Sequence, residues 1–265
     1  MSERTIMDAS MPNAGRIYDY LLGGHHNFEI DRRAGDQIKA FLPFLPKMMR
    51  LSRWCLQDVA RTLTEERGFE TIVDFASGLP TMDHLHTAVA PGTTVIYSDH
   101  DPVAVEYGRE ILGDTPNAYY FEADARRPEE LLARPEVVEI LGGNRHVAFV
   151  YWGVSMYLTD EEIAHAARTL YDWSDQNSCL AFYVGMADPT EDPGAVKAAE
   201  MYRQMGEEMH FRPLEVFKEL VRPWRSDELG YRPMDEWHGI EVAMSEEDLK
   251  IFAAGGSGYG VYLVK

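Results

Sequence analysis

The sequence predicts an α/β protein built on an open, mostly parallel sheet with helices on both faces. Three observations carry this. Between residues 71 and 184, short β-branched and aromatic runs alternate with amphipathic stretches bounded by turn residues. The run Thr71-Ile72-Val73-Asp74-Phe75 enters a small-residue turn, Ala76-Ser77-Gly78, and the next run, Thr94-Val95-Ile96-Tyr97-Ser98, ends on Asp99. Ahead of residue 69 the apolar pattern is helical, so a helical segment over 1–68 precedes a sheet-bearing unit over 69–265.

The elements follow in order. Residues 1–12 read as frayed. Asn13 or Ala14 to Leu22 has helical spacing, with Ile17, Leu21 and Leu22 on one side, Tyr18 on its shoulder and Gly23-Gly24 as its stop. Asp31 opens a second helix that fails before Pro43. Pro46 to Arg67 forms a long amphipathic helix with Met48, Leu51, Cys55, Val59 and Leu63 in one stripe and Gly68 as terminator. Strand one takes 71–76, with a helix over about 81–89; strand two takes 94–98, and Asp101-Pro102 opens a helix to Leu112. Strand three spans Ala118–Ala123, followed by a helix over Pro128–Leu132. Strand four spans His146–Tyr151, and Thr159-x-x-Glu162 is a capping box for the helix after it. Strand five is Ser178–Val184. Beyond it, Pro189, Asp192, Pro193 and Gly194 mark a loop. Helices are expected over 195–209 and 214–221, a short one near 245–248, and closing strands near 229–237 and 258–264.

Bulk composition narrows the partners. The chain has 265 residues, enough for a sizeable core, and a formal charge of −19 that repels phosphate backbones. Nucleic acid is therefore not expected. The basic residues Lys47, Arg50 and Arg53, at helical spacing, read as a solvated helix face. Cys55 and Cys179 lie far apart in apolar surroundings, as buried thiols in a reducing compartment. No leader-like segment and no apolar run of 18 residues is seen, so a cytoplasmic protein without a membrane partner is expected.

A strand, a small-residue turn, a helix, a strand and then an acid is the layout of a nucleoside-binding α/β unit. Here the turn lacks Gly-x-Gly-x-x-Gly, which the close approach of a pyrophosphate needs, and a nucleoside without phosphates, above all S-adenosylmethionine, fits better. Asp74 either orders the turn or faces a cationic ligand group. Ala76, Ser77 and Gly78 admit an adenosyl ligand, or simply let helix and strand pack closely. Asp101, just before Pro102, is placed as an N-cap, which leaves Asp99 for the two ribose hydroxyls. His100 either stacks along an adenine or faces solvent. Asp124-Ala125, after strand three, either receives the adenine amino group or caps the next helix. After strand four, Tyr151 or Trp152 faces the sulfonium or packs in the core. His84 and His86, two apart beside Asp83, have poor metal-ligand spacing, as has the His25-His26 pair; no metal is expected.

The segment Arg16-Ile17-Tyr18-Asp19-Tyr20-Leu21-Leu22-Gly23-Gly24-His25-His26-Asn27-Phe28, with Asp31-Arg32 behind it, resembles an actinobacterial-type family of S-adenosylmethionine-dependent methyltransferases. Its members also carry an Asp-x-x-x-Gly-Leu-Pro-Thr turn, here Asp74 to Thr81, and an acid-Pro element, here Asp99-His100-Asp101-Pro102. The likeness is good over residues 13–185 and loose thereafter. Departures are Phe75-Ala76-Ser77, where an apolar residue, Gly and Thr are more usual, and His84 in place of Asn. The resemblance implies a Rossmann-like seven-stranded methyltransferase sheet with an antiparallel last strand, and an added N-terminal helical segment that folds over the cofactor. Arg16, Tyr18 and Tyr20 then become candidates for the methionine end, with Arg16 pairing its carboxylate; packing on the sheet is the other reading of the tyrosines.

A sulfonium methyl donor is already activated, so alignment and a dry cavity are the main requirements. A base is needed only if the acceptor must lose a proton in the transition state. His84, Asp188, Tyr157 and Glu161 stand near the strand ends, and none is singled out. Met186, Met201, Met205 and Met209 either wall an acceptor pocket or belong to the core. The expected function is a methyltransferase for an unidentified small molecule. Its rivals are a non-catalytic S-adenosylmethionine sensor and a nicotinamide-dependent oxidoreductase.

Overall fold

A computed structural model describes residues 11–81, 83–185, 193–239, 246 and 258–265. Three helices come first: α1 (Ala14–Leu22), α2 (Glu29–Phe41) and α3 (Leu45–Arg61), the last continued by one π-helical turn, Thr62–Glu66. Asn13 caps α1 by accepting from the Arg16 amide, and Gly23 ends it at φ 88°. Gly24 is required by contact: a Cβ there would lie 2.1 Å from Asp19 Oδ1. That Asp19 carboxylate accepts from the His26 amide and Asn27 Nδ2, which closes the loop into α2.

The alternating region gives β1 (Thr71–Phe75), β2 (Thr94–Asp99), α4 (Pro102–Leu112), β3 (Ala118–Glu122), α5 (Pro128–Leu132), α6 (Pro135–Leu141), β4 (Ala148–Tyr151), α7 (Asp160–Trp173) and β5 (Cys179–Val184). Then come α8 (Pro193–Gln204), α9 (Leu214–Leu220), β6 (Arg225–Ser226), β7 (Arg232–Pro233) and β8 (Tyr259–Val264). The sheet order is β3-β2-β1-β4-β5-β8-β6, with β7 also on β8. β1 to β5 pair in parallel, and β8 runs antiparallel between β5 and the short pieces β6 and β7. Because β6 and β7 share one edge of β8, the sheet has seven strand positions and is the expected mostly parallel, Rossmann-like α/β architecture.

Strand parity divides the core. Val73, Phe75, Phe149, Tyr151, Leu180 and Phe182 pack under α5, α6, α7 and α9. Ile72, Val95, Tyr97, Val150, Ala181 and Tyr183 pack under α3 and α4. A third apolar cluster, Ile17, Leu21, Ala34, Ile38, Leu42, Leu45, Ala198 and Tyr202, joins α1, α2 and α3 to α8. Both cysteines are buried and unpaired, and burial pushes the Cys179 thiol up to about 12.

Several expectations are corrected. The helix over 81–89 shrinks to a 3-10 turn, Leu85–Thr87, because Gly78 and Asp83 take positive φ (61° and 72°) and His84 starts the turn by accepting the Leu85 amide. Helix α6 is missing from the sequence reading: seven residues are too short for a clear 3.6-residue period, though Pro135 marks its first position. The strand over 229–237 is broken by Gly230 at φ 68° and by Pro233, which has no amide to donate, leaving β7 and a 3-10 turn at Met234–Gly239. The helix expected over 195–209 ends at Gln204. Of the loop expected from Pro189 to Gly194, Pro193 and Gly194 instead open α8, proline being suited to a first helical turn; its remaining residues, Asp188 and Met186 lie outside the described residues, as does the helix near 245–248 apart from Glu246.

Candidate functional site

The turn after β1 is built by short polar links. Ser77 N–H donates to the Ser98 carbonyl (2.8 Å), its hydroxyl donates to the Asp74 carbonyl (3.0 Å), and Gly78 N–H donates to Asp99 Oδ2 (2.9 Å). Ala76 holds φ 52°, a left-handed conformation that favours glycine. The chain turns here above the end of β1, beside the last rung pairing Phe75 with Tyr151 of β4. That rung marks the switch point, where connections leave in opposite directions and a crevice forms.

The crevice is a cavity of about 830 Å³. Its floor holds Asp74, Ala76, Ser77, Gly78, Asp99, His100, Asp124, Ala125 and Trp152; its cover includes Asn13, Tyr18 and Arg53. Asp99, 8% exposed, accepts from the Gly78 and Asp101 amides through separate oxygens, and His100 Nδ1 lies 3.4 Å from Oδ1. Burial raises its pKa. Asp101 does cap α4, accepting the Val103 amide at 2.8 Å. Asp124 accepts from the Arg126 amide and guanidinium instead of capping α5. Burial pushes its pKa up, but the Arg126 hydrogen bonds outweigh this and leave it lowered.

Asp74 lies on the same sheet face as Ile72 and looks toward α3. Burial pushes its pKa up to about 7, against the opposing pull of the Ser77 hydroxyl and Arg53. Arg53 is 6% exposed, which corrects the solvated-face reading at that residue, while Arg50 is exposed and Lys47 half-buried. Its guanidinium lies 5.4 Å from the Tyr18 ring centre, and its Nε and Nη1 have no hydrogen-bond partner among the described residues. A buried guanidinium without an anion costs several kcal/mol. The signal in the sequence is local: Arg53 shares a helix face with Met49 and Leu56, an apolar neighbourhood for a charge.

The other candidates divide. Arg16 and Tyr20 do not line the cavity. Arg16 Nε pairs with buried Asp31 at 2.8 Å and its Nη2 donates to the Met11 carbonyl, while Tyr20 donates to Asp36. The opening motif is thus a self-contained brace, with Asp31 also accepting the Asn13 and Phe28 amides. Tyr151 is core, fully buried and donating to the Ala125 carbonyl. Trp152 lines the cavity and donates Nε1–H to Ser52 of α3. His84 has both ring nitrogens engaged, Nδ1 accepting from Leu85 and Nε2 beside the Ser77 carbonyl at 3.2 Å, and burial holds its pKa well below the usual range. It braces the turn and is a poor base. Tyr157 lines the cavity, with burial pushing its phenol well up. Glu161 sits exposed in the first turn of α7, outside the cavity. Among the described residues, no group of three or more His, Cys, Asp or Glu could hold a metal ion, and no helix is long and apolar enough to cross a membrane.

A cavity over the switch point, an acid ending β2 and no glycine triplet fit a phosphate-free nucleoside. Comparison with known proteins decides the family. Residues 1–259 match the family described as S-adenosyl methyltransferase. The chain belongs to this family. Among solved structures it is similar to a methyltransferase described as putative from Thermobifida fusca YX, with TM-score 0.83, 29% identity and coverage of 97% of this chain and 96% of that one. It is similar to a DUF574 family protein from Streptomyces avermitilis MA-4680, with TM-score 0.83, 28% identity and coverage of 97% and 99%. A methyltransferase dependent on S-adenosylmethionine from Anabaena variabilis shares the fold alone, with TM-score 0.52, 12% identity and coverage of 78% and 82%. No curated protein matches the chain. As an S-adenosyl methyltransferase the protein uses S-adenosylmethionine as cofactor, and the residues present suit that group. Its methionine end is a zwitterion, and this S-adenosyl methyltransferase lines one cavity with a buried carboxyl, Asp74, and a guanidinium, Arg53, two of whose nitrogens have no hydrogen-bond partner among the described residues.

Proposed function

We propose that this methyltransferase holds S-adenosylmethionine with its ribose on Asp99, its adenine beside His100, Asp124 and Ala125, and its methionine end between Asp74 and Arg53, and that it methylates a small molecule. Ala76, Ser77 and Gly78 let the nucleoside approach the backbone. Trp152, fixed by Ser52, offers a ring to the sulfonium. Bound there, the cofactor supplies a methyl group already activated by its sulfonium. The chain's own part is to orient both ends of the donor, neutralise its charges and exclude water. Residues 1–68 act in this reading as a cover over a sheet-bearing unit, since Asn13, Tyr18 and Arg53 reach the cavity from α1 and α3.

Arg53 carries the reading: a buried guanidinium with two unpartnered nitrogens faces the cavity that also holds Asp74. The test is calorimetric binding of S-adenosylhomocysteine. Arg53→Gln should weaken it about 10- to 100-fold, the size of a lost hydrogen bond to a charged group. Arg16→Gln should lower the melting temperature through the Asp31 pair and leave the affinity of the folded protein alone. Unchanged affinity in the Arg53 variant would sink the assignment.

A further inference from the structure

The cavity extends past the residues assigned to the cofactor. Its 830 Å³ lies near the top of the roughly 300–1,000 Å³ of pockets that hold one drug-sized ligand. Beyond the strand ends it continues between α3 and α8, and there its lining changes character. One wall is Phe44, Met48 and Met49; the facing wall is Ala195, Ala199 and Tyr202. Met209 and Phe211 close it from the chain after α8, and Tyr157 closes it from the chain after β4.

The chemistry of this lobe differs from that of the floor. The floor and the cover above it carry Asp74, Asp99, Asp101, Asp124, Arg53 and Arg126, whereas the lobe's single charged lining residue among those described is Glu207. An anionic occupant would meet that carboxylate, and the cation nearest it, Arg126, is already held by Asp124. The thioethers of Met48, Met49 and Met209 favour contact with aromatic rings, as do the ring faces of Phe44, Phe211 and the two tyrosines. Tyr157 and Tyr202 lie with ring centres 6.3 Å apart at 57°. Burial keeps both phenols protonated, Tyr202 at about 12, and the two hydroxyls interact with one another, so a ligand's polar atom would join a hydroxyl pair that still has capacity to donate and accept. The alanines of α8 leave width for a flat group.

We infer that the lobe between α3 and α8 is the acceptor subsite and that it takes an uncharged, planar aromatic molecule whose polar atom meets Tyr157 and Tyr202. This rests on the cofactor assignment above.

The probe is 2-naphthol, a neutral fused-ring phenol, titrated by calorimetry into protein saturated with S-adenosylhomocysteine; ethanolamine, small, aliphatic and cationic, is the contrast. Binding of 2-naphthol at least tenfold tighter than ethanolamine is expected. Ala199→Phe and Ala195→Phe should each weaken 2-naphthol at least tenfold while the S-adenosylhomocysteine affinity stays within twofold, which also shows that the variants fold. Three results would overturn the inference: wild-type protein that binds S-adenosylhomocysteine but not 2-naphthol, ethanolamine bound as well as 2-naphthol, or Ala195→Phe and Ala199→Phe variants that keep both affinities. The wild-type titrations decide even if both variants fail to fold. Failure of the wild type to bind S-adenosylhomocysteine overturns the cofactor assignment itself, and the acceptor subsite with it.

Discussion

Asn13 Nδ2 donates to Asp101 Oδ2 at 2.8 Å, across 88 residues of sequence. The N-cap of α1 is thereby tied to the N-cap of α4, two residues beyond Asp99. Asn13 serves both helices, since its side-chain oxygen takes the Arg16 amide. The cover and the strand-end acids are one hydrogen-bonded unit at this corner of the cavity.

Asn13→Ala removes a cap, costing about 1 kcal/mol of stability, and also cuts the link to Asp101. The expected result is a lower melting temperature together with faster release of S-adenosylhomocysteine, measured by stopped-flow displacement. A lower melting temperature with an unchanged release rate would reduce α1 to packing. Deleting residues 1–28 is the harsher form of the same experiment.

Asp99→Ala should weaken S-adenosylhomocysteine binding by roughly 1–3 kcal/mol, from the lost ribose acceptor. Asp99 also takes the Gly78 and Asp101 amides, so the turn itself loosens. Asp99→Asn keeps one acceptor oxygen and should fall between the two. Equal dissociation constants for wild type and the alanine variant would refute the ribose assignment.

Asp74 gives a pH dependence of definite sign. Its carboxyl titrates near 7 in the folded protein against 3.8 for the ordinary group. The folded state therefore prefers the protonated form, so this contribution is full below about pH 4 and is lost as pH rises through 7, up to roughly 4 kcal/mol in the ligand-free protein. Urea unfolding at pH 5 and 8 should show a little over half of that loss in wild type and none of it in Asp74→Asn. Cofactor affinity should move the other way, tightening from pH 5.5 to 7.5 as the carboxylate forms opposite the ligand ammonium. A flat affinity profile in wild type argues against that contact.

Ala76 keeps a left-handed φ of 52° where glycine carries no such penalty. Ala76→Gly should raise stability by about 0.5–1 kcal/mol, the strain relieved less the added freedom of the unfolded chain. Chemical denaturation measures it; a loss of stability would mean the turn is not strained as described.

The alternation of runs over 71–184 made the parallel sheet legible, because each strand is short, apolar and bounded by turn residues. Local rules also gave the Thr159–Glu162 box, the Asp101 cap and the Gly23 stop, each decided by neighbours within four residues. What failed had no local signal or a misleading one. Helix α6 is too short to show a period, and the edge strand is cut by Gly230 and Pro233. At the site, only the resemblance places Arg16 at the methionine end, whereas its partner Asp31 lies on the next helix, and Arg53 looked solvated because its helix spacing matched Lys47 and Arg50.

The sequence by itself determined the sheet order's raw material, the small-residue turn and the acid after the second strand, since these depend on backbone geometry and nearest neighbours. Only the tertiary structure decided which charges face the cavity. A charge's role depends on what burial takes from it and what partner it finds, and those partners come from distant segments: Asp31 for Arg16, Ser52 for Trp152, and for Arg53 the cavity that also holds Asp74.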